Sequence, residues 1–247
     1  VTNLAAALSV DPVANGVTRL APHTEQFGEL RAWIDATTPG PVTVLDVGGG
    51  GTFYDFPAVL RRRAVRMVGV DPDPGVKRRP WLDEGHQELV EEYAGHTFDR
   101  FDLALCVYVV EHVDAPGPFF EAIRSLLMPG GSCYGVTPNL RHYFGLASAV
   151  ASRAGLEDRI LRWVRPTQLV DAYHTPVRYR CNTIESLRTT GRDAGFRGAE
   201  FRVLEQAGMF ETYLPPALRW WARGYSAMLN RWGPAELFGT LIFRLLA

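Results

Sequence analysis

The 247-residue chain has little of what a metal- or disulfide-stapled scaffold needs. Its three cysteines, Cys106, Cys133 and Cys181, are widely spaced, form no CxxC pair and have no histidine pair beside them. A structural zinc site or a disulfide framework is therefore not expected, and the metal set is read as none. Charge of one sign is also lacking: 26 Lys+Arg against 27 Asp+Glu give a formal charge of −1. No global field draws the chain to nucleic acid, and no basic flank is present. Lysine itself is almost absent, Lys77 standing alone among arginines. The N-terminus carries no basic region followed by an apolar core of the secretory type. No stretch approaches the ~20 apolar residues that span a bilayer. A soluble, cytoplasmic protein without stable membrane insertion is the expectation.

What is present is an alternation of apolar runs and amphipathic stretches. Phe27, Leu30, Trp33 and Ile34 recur at helical spacing between Thr24 and Ala36, and Pro39-Gly40-Pro41 ends that run. Residues 1–41 thus read as an N-terminal helical segment. Val42 to Val47 is a short buried-strand run, followed at once by Gly48-Gly49-Gly50-Gly51. After a helical stretch with Phe56, Val59 and Leu60, Met67 to Val70 is a second apolar run ending in Asp71. A short third strand is expected over 86–93, a fourth from Phe101 to Val109, a helix over 117–127, a turn at Pro129-Gly130-Gly131 and a fifth strand from Ser132 to Thr137. Residues 139–181 break the rhythm and read as a helical insertion, a lid or substrate wall. Beyond it come a helix from Thr183 to Ala194, a strand near 199–205, a Trp/Arg-rich helix at about 215–230 and a last strand from Gly239 to Leu246. Such alternation implies βαβ units and an α/β, doubly wound, mostly parallel sheet of seven strands.

The chemistry concentrates where the first strand meets its glycines. A glycine turn at the carboxyl end of a parallel strand lets the chain reverse sharply and a ligand approach the backbone. Asp71, at the end of the second strand, is placed to accept hydrogen bonds from ribose hydroxyls. Together they predict a nucleoside-containing cofactor. Asp46, two residues before the first glycine, suits a cationic or amino group. A nicotinamide dinucleotide would want G-x-G-x-x-G, yet counting from Gly48 puts Phe53 in the third place. A catalytic Tyr-Lys pair of an oxidoreductase is also hard to build with Lys77 as the sole lysine.

Val44-Leu45-Asp46-Val47-Gly48-Gly49-Gly50 resembles motif I of the class I S-adenosylmethionine-dependent methyltransferases. Val68-Gly69-Val70-Asp71 is similar to their second motif. Phe101 to Cys106 with Val110-Glu111-His112-Val113 after it resembles the fourth-strand signature of the ubiquinone-methyltransferase-like, small-molecule branch. Leu127-Met128-Pro129-Gly130-Gly131 and Thr137-Pro138-Asn139 resemble the segments around the fifth strand of that branch. The resemblance runs from about 42 to 139 and implies a Rossmann-like methyltransferase domain over 42–247, with the lid at about 139–181. It implies that Gly48 and Gly50 cradle the methionine part of S-adenosylmethionine, that Asp71 with Pro72 beside it holds the ribose, and that Cys106 lies against the cofactor. Glu111 is either a cofactor contact or a helix-terminal charge. Where the family often has a third alternating glycine, this chain has Thr52.

Methyl transfer needs an aligned acceptor, dry surroundings and, for a hydroxyl, a base. Candidates lie beyond strands four and five and on the insertion. His142 ranks first as the base, then His174, then His112; Tyr108, Tyr143 and Tyr173 are the expected substrate contacts. Seven arginines between Arg141 and Arg180 are either a solvated face or a site for an anionic acceptor. The aromatics of the tail, Trp220, Trp221, Tyr225, Met228, Leu229 and Trp232, would pack against the sheet or the lid, or else meet a membrane surface or a partner subunit. The resulting expectation is O-methylation of a small molecule in natural-product or saccharide biosynthesis, with S-adenosylhomocysteine as product. The alternatives are a nicotinamide-dependent oxidoreductase and a protein that binds the cofactor without transferring methyl.

Overall fold

The computed structural model describes residues 11–13, 16–50, 55–156, 159 and 176–247. Its centre is one sheet of nine strands: β1 (Asp11–Val13), β2 (Val17–Arg19), β3 (Val42–Val47), β4 (Ala64–Val70), β5 (Glu84–His86), β6 (Phe101–Val107), β7 (Leu127–Pro138), β8 (Gly198–Leu204) and β9 (Thr240–Leu246). They lie in the order β1-β2-β8-β9-β7-β6-β3-β4-β5. β3, β4, β5, β6 and β7 pair in parallel, and β9 runs antiparallel between β7 and β8. Seven strands match the expected sheet. The other two come from the segment read as helical: β1 pairs with β2, and β2 extends the sheet beyond β8. Three-residue strands leave no periodicity to read.

Helices α1 (Gln26–Thr37) and α2 (Phe56–Leu60) cover one face, where Leu30, Trp33, Ile34, Phe56 and Leu60 meet Val44, Met67, Leu103 and Leu105. On the other face lie α3 (Val90–His96), α4 (Pro116–Leu126) and α6 (Ile184–Asp193), whose Tyr93, Phe120, Ile123 and Leu187 meet Leu45, Val68 and Ala104. The central strands are buried on both sides, which is why they read as unbroken apolar runs. Three of the helices begin where their sequence stops them fraying. The Glu25 carboxylate accepts from the Phe27 and Gly28 amides, a proline opens α4, and Thr183 and Ser186 cap one another's backbone ahead of α6.

Two boundaries differ from expectation. The third strand occupies 84–86 rather than 86–93, a short edge strand of polar residues with α3 after it. β7 also begins at Leu127 and runs through Pro129-Gly130-Gly131. The expected turn is a register shift within the β6–β7 ladder, with Gly130 at φ 84°. Beyond β7, α5 (Tyr143–Arg153) is helical as expected for the start of the insertion; residues 160–175 lie outside the described residues. α7 (Arg219–Trp232) joins β8 to β9.

Candidate active site

β3 pairs with β4 on one side and β6 on the other, so the chain order reverses between β3 and β6. Loops leaving the carboxyl ends of these two strands diverge and open a crevice, where ligands bind in doubly wound sheets. Gly48 stands there at φ 79°, its amide donating to the Val70 carbonyl at 2.9 Å. A Cβ on Gly48 would run into the Val109 side chain beyond β6, so the two loops touch only because the residue is glycine.

The turn is held from both sides. The Gly50 amide donates to Asp71 Oδ2 at 2.8 Å, and the Asp73 amide donates to Asp71 Oδ1 at 2.6 Å. A Cβ on Gly50 would sit 2.8 Å from Asp71 Cγ and from the Asp73 carbonyl oxygen. From the other side Arg79 donates through Nε to the Gly49 carbonyl at 2.8 Å and through Nη2 to the Gly50 carbonyl at 2.9 Å. Its guanidinium lies 5.2 Å from the centre of the Trp81 ring. Asp46 is buried behind the turn. Its Oδ2 and the Trp81 indole Nε1 are both enclosed without a hydrogen-bond partner among the described residues. Burial pushes the Asp46 carboxyl up to about 7; the nearby Trp81 indole opposes this, the Asp71 charge adds to it, and Arg79 offsets part. Asp71 is raised chiefly by burial too, although the Asp73 and Gly50 amides favour its ionised form. Two carboxyls held against their own desolvation at a strand switch point form a site that gains by receiving a cation and hydroxyl donors. Pro72 is exposed beside Asp71.

Asp46, Gly48, Gly50 and Asp71, singled out in the sequence, lie together in space, and Arg79 and Trp81, which the sequence does not mark, lie with them. The contacts of Arg79 and Trp81 cross from the far end of the β4–β5 connection, and no periodicity marks them. Gln26 and Phe27, at the start of α1, are likewise unmarked in the sequence as site residues. Tyr108 adopts φ 56°, an uncommon conformation for a bulky side chain. Its hydroxyl donates to Gln26 Oε1 at 2.9 Å, and its ring meets Phe27 edge-on. Phe27 is in turn stacked on the buried Phe56.

Two expected roles are corrected by burial. Cys106 has no accessible surface, and its sulfur lies 3.8 Å from that of Cys133 in the core. Burial first, and then Cys133, raises its thiol well above the ordinary range; it is a packing residue, not a cofactor contact. His142 is 1% exposed. Its Nδ1 accepts from the Phe144 amide at 3.3 Å and so caps α5, while Nε2 faces Glu205 Oε2 at 3.5 Å. The Glu205 carboxylate in turn accepts from Ser226 Oγ at 2.5 Å and the Gly239 amide at 2.8 Å. With Tyr143, Phe210 and Tyr225 around the ring, neither nitrogen of His142 is open to an acceptor, so it is not placed to act as the base.

Glu111 is buried, and its carboxylate accepts from Thr137 Oγ1 at 2.8 Å, which accepts from Asn182 Nδ2 at 2.6 Å. The Glu111 carbonyl receives the Arg178 and Tyr179 amides. This residue therefore ties the chain after the insertion to the ends of β6 and β7, and burial raises its carboxyl. His112, beside it, is half-buried with Nδ1 at 3.2 Å from the Pro176 carbonyl oxygen. A carbonyl only accepts, so Nδ1 carries the proton in that contact and Nε2 of the neutral ring holds the free lone pair. Tyr143 is half-buried against Trp221 and Tyr225 at 5.2 Å each, and its phenol is raised by burial and by Glu205 and Glu211. Tyr173 and His174 lie outside the described residues. Of the seven arginines, Arg141 pairs with Glu185 at 3.1 Å and Arg178 with Asp114 at 3.0 Å, both on the surface, where such pairs contribute little. Among the described residues no group of three His, Cys, Asp or Glu side chains could hold a metal ion.

Comparison with known proteins agrees with this geometry. The family described as "Methyltransferase domain" matches residues 12–200. The ubiquinone biosynthesis O-methyltransferase of Azorhizobium caulinodans is 32% identical over 175 residues, 67% of this chain and 61% of that protein. Its counterpart from Aeromonas salmonicida is 35% identical over 105 residues, 39% of this chain and 43% of that protein. The chain thus spans about half the length of these curated relatives. A SAM-dependent methyltransferase of known structure from Archaeoglobus fulgidus superposes with a TM-score of 0.56 at 17% identity, covering 90% of this chain and 93% of that one, a likeness of fold. A chain with this sheet order, a glycine turn braced on two strand-end carboxylates, and a family match over most of its length belongs to the class I S-adenosylmethionine-dependent methyltransferases.

Proposed function

We propose that the chain transfers the methyl group of S-adenosylmethionine to a hydroxyl oxygen of a small molecule, in natural-product or saccharide biosynthesis. The observation that carries this reading is the braced turn, with the buried, unpartnered Oδ2 of Asp46 on one side and the Asp71 carboxylate on the other. These residues fit the cofactor. Asp46 would meet its cationic end, the Gly48–Gly50 backbone its methionine chain, and Asp71 its ribose hydroxyls. When bound, the sulfonium supplies the activated methyl group; the protein's part is alignment and the exclusion of water.

The residues of this chain divide that work. Asp71 and Arg79 hold the turn from opposite sides, so the backbone is organised before ligand arrives. Phe27 and Tyr108, backed by Phe56, would shield the crevice from water. His112 is the base we assign: the Pro176 carbonyl fixes its tautomer and leaves Nε2 to take a hydroxyl proton. The insertion at about 139–181, beginning with α5, serves as the lid. Transfer to oxygen is further supported by relatives whose names give them as O-methyltransferases.

Release of S-adenosylhomocysteine, measured over a panel of phenols, sugar hydroxyls and amines, tests the assignment. Turnover with hydroxyl acceptors, lost in His112→Ala, is the expected result. Turnover with amines alone would refute oxygen as the target. Cofactor binding with no turnover on any acceptor would favour a protein that binds without transferring.

A further inference from the structure

α7 is amphipathic with its aromatic side turned the wrong way for a core helix. Ala222, Ser226 and Leu229 face inward and are buried. Trp220 and Trp232 are 72% and 74% exposed, and Leu218, Trp221 and Met228 are exposed with them. Twelve positions separate the two outer tryptophans, about 18 Å along the helix at 1.5 Å per residue. Gly224 and Ala227 lie exposed between them, so this side is long and shallow. The surface continues onto α5. Tyr143 packs edge-on against Trp221 at 5.2 Å, and Leu146 and Val150, at helical spacing from Tyr143, are exposed.

Charge on this surface is net positive, with Glu211 and the exposed Glu236 at its two ends. From Thr212 to Ala235 there are three arginines and no acidic residue, and α5 adds Arg153 without an acid of its own. Arg223 meets Glu211, while Arg231 is exposed with its guanidinium 5.0 Å from the centre of the Trp232 ring. Tryptophan and arginine on a shallow apolar strip of net positive charge match the interface of an anionic bilayer, where indoles sit at headgroup level and guanidinium groups meet phosphate. No helix among the described residues is long and apolar enough to cross a membrane, so contact would be peripheral.

We propose that the outer face of α7, extended by α5, docks on an anionic lipid surface. Both helices leave the carboxyl ends of strands, β7 for α5 and β8 for α7, on the edge of the sheet that carries the glycine turn. Docking there brings the mouth of the crevice to the lipid, from which an apolar acceptor can enter. Lipid binding is read without turnover and stands apart from the methyl-transfer assignment.

The test is co-sedimentation of the full chain with vesicles of phosphatidylcholine alone or mixed with phosphatidylglycerol, together with a blue shift in tryptophan emission. The expected result is binding to the mixed vesicles with a blue shift, and weaker binding to the neutral ones. Arg231→Gln should lower partitioning to mixed vesicles about fivefold and leave neutral vesicles unaffected. Trp220→Ser with Trp232→Ser should lower it at least about tenfold on both. All these side chains are exposed, so an unchanged melting temperature separates lost docking from lost fold. Absence of binding to mixed vesicles, or binding indifferent to both variants, overturns the proposal. So does a concentration-dependent dimer that the tryptophan variant abolishes, which would give this face to a second copy.

Discussion

Replacing Asp46 by asparagine should stabilise the ligand-free protein, increasingly so as pH rises from the ordinary carboxylate range through about 7. Burial raises this carboxyl from an ordinary 3.8 to about 7. A carboxyl whose value is raised on folding binds its proton more tightly in the folded than in the unfolded state. Stability therefore falls as pH rises from the ordinary carboxylate range through about 7, and the full penalty stands above that value. At about 1.4 kcal/mol per unit, the shift corresponds to an upper limit of about 4 kcal/mol. Asparagine keeps the shape and removes the charge. At about pH 8 the variant should be more stable in urea by up to this amount, at about pH 5 by less than half of it because unfolded Asp46 is already ionised there, and the two proteins should nearly coincide only below about pH 3.5. Asp71 and Glu111 are raised by burial as well, so the wild-type slope alone is composite, and the difference between the two proteins isolates Asp46. The same substitution should weaken S-adenosylhomocysteine binding, if the carboxylate that costs the free protein stability is, as proposed, the one that meets the ligand's ammonium group. An Asp46→Asn protein less stable than wild type at about pH 8, or a difference equal at both pH values, would refute this reasoning.

Other substitutions separate the roles. Asp71→Ala should reduce S-adenosylhomocysteine affinity at least tenfold, at about 1.5–3 kcal/mol for hydrogen bonds to a charged group, while far-ultraviolet dichroism shows the fold retained. Arg79→Ala frees the Gly49 and Gly50 carbonyls and should weaken the same affinity about five- to tenfold, measured by calorimetry. His112→Ala should lower kcat by about 10²-fold or more with little change in KM. His142→Ala should instead leave kcat near wild type and lower stability by about 1–2 kcal/mol, the loss of a helix cap, read from urea unfolding.

The parts of the fold visible in the sequence were those with both faces buried. Val42–Val47, Met67–Val70 and Phe101–Val107 read as strands because nothing polar interrupts their apolar runs for long; the two acids within them are Asp46 and Asp102. Asp46 belongs to the site. Asp102 accepts from the Thr43 amide and hydroxyl across the neighbouring strand. β1, β2 and β5 were missed or displaced because three residues on an edge show no pattern. Pro129-Gly130-Gly131 looked like a turn because the residues of a turn and of a register shift are the same. The candidate cofactor side of the site was visible as a glycine turn with an acid at the end of the next strand. His142 was misread because a residue just beyond a strand can face the crevice or cap the next helix, and only the Phe144 amide and the Glu205 carboxylate decide between them. The outward turn of the tail aromatics was equally hidden: helical spacing groups Trp221, Met228 and Trp232 on one side, with Trp220 beside Gly224 and Arg231, without saying which side is covered.

Calorimetric titration of the purified protein with S-adenosylhomocysteine, and separately with NAD⁺, bears most directly on the claim that Asp46, the glycine turn and Asp71 form the cofactor site. Micromolar binding of S-adenosylhomocysteine alone, weakened in Asp71→Ala, is the predicted result. Binding of NAD⁺ alone, or S-adenosylhomocysteine affinity unchanged in Asp71→Ala, would contradict it.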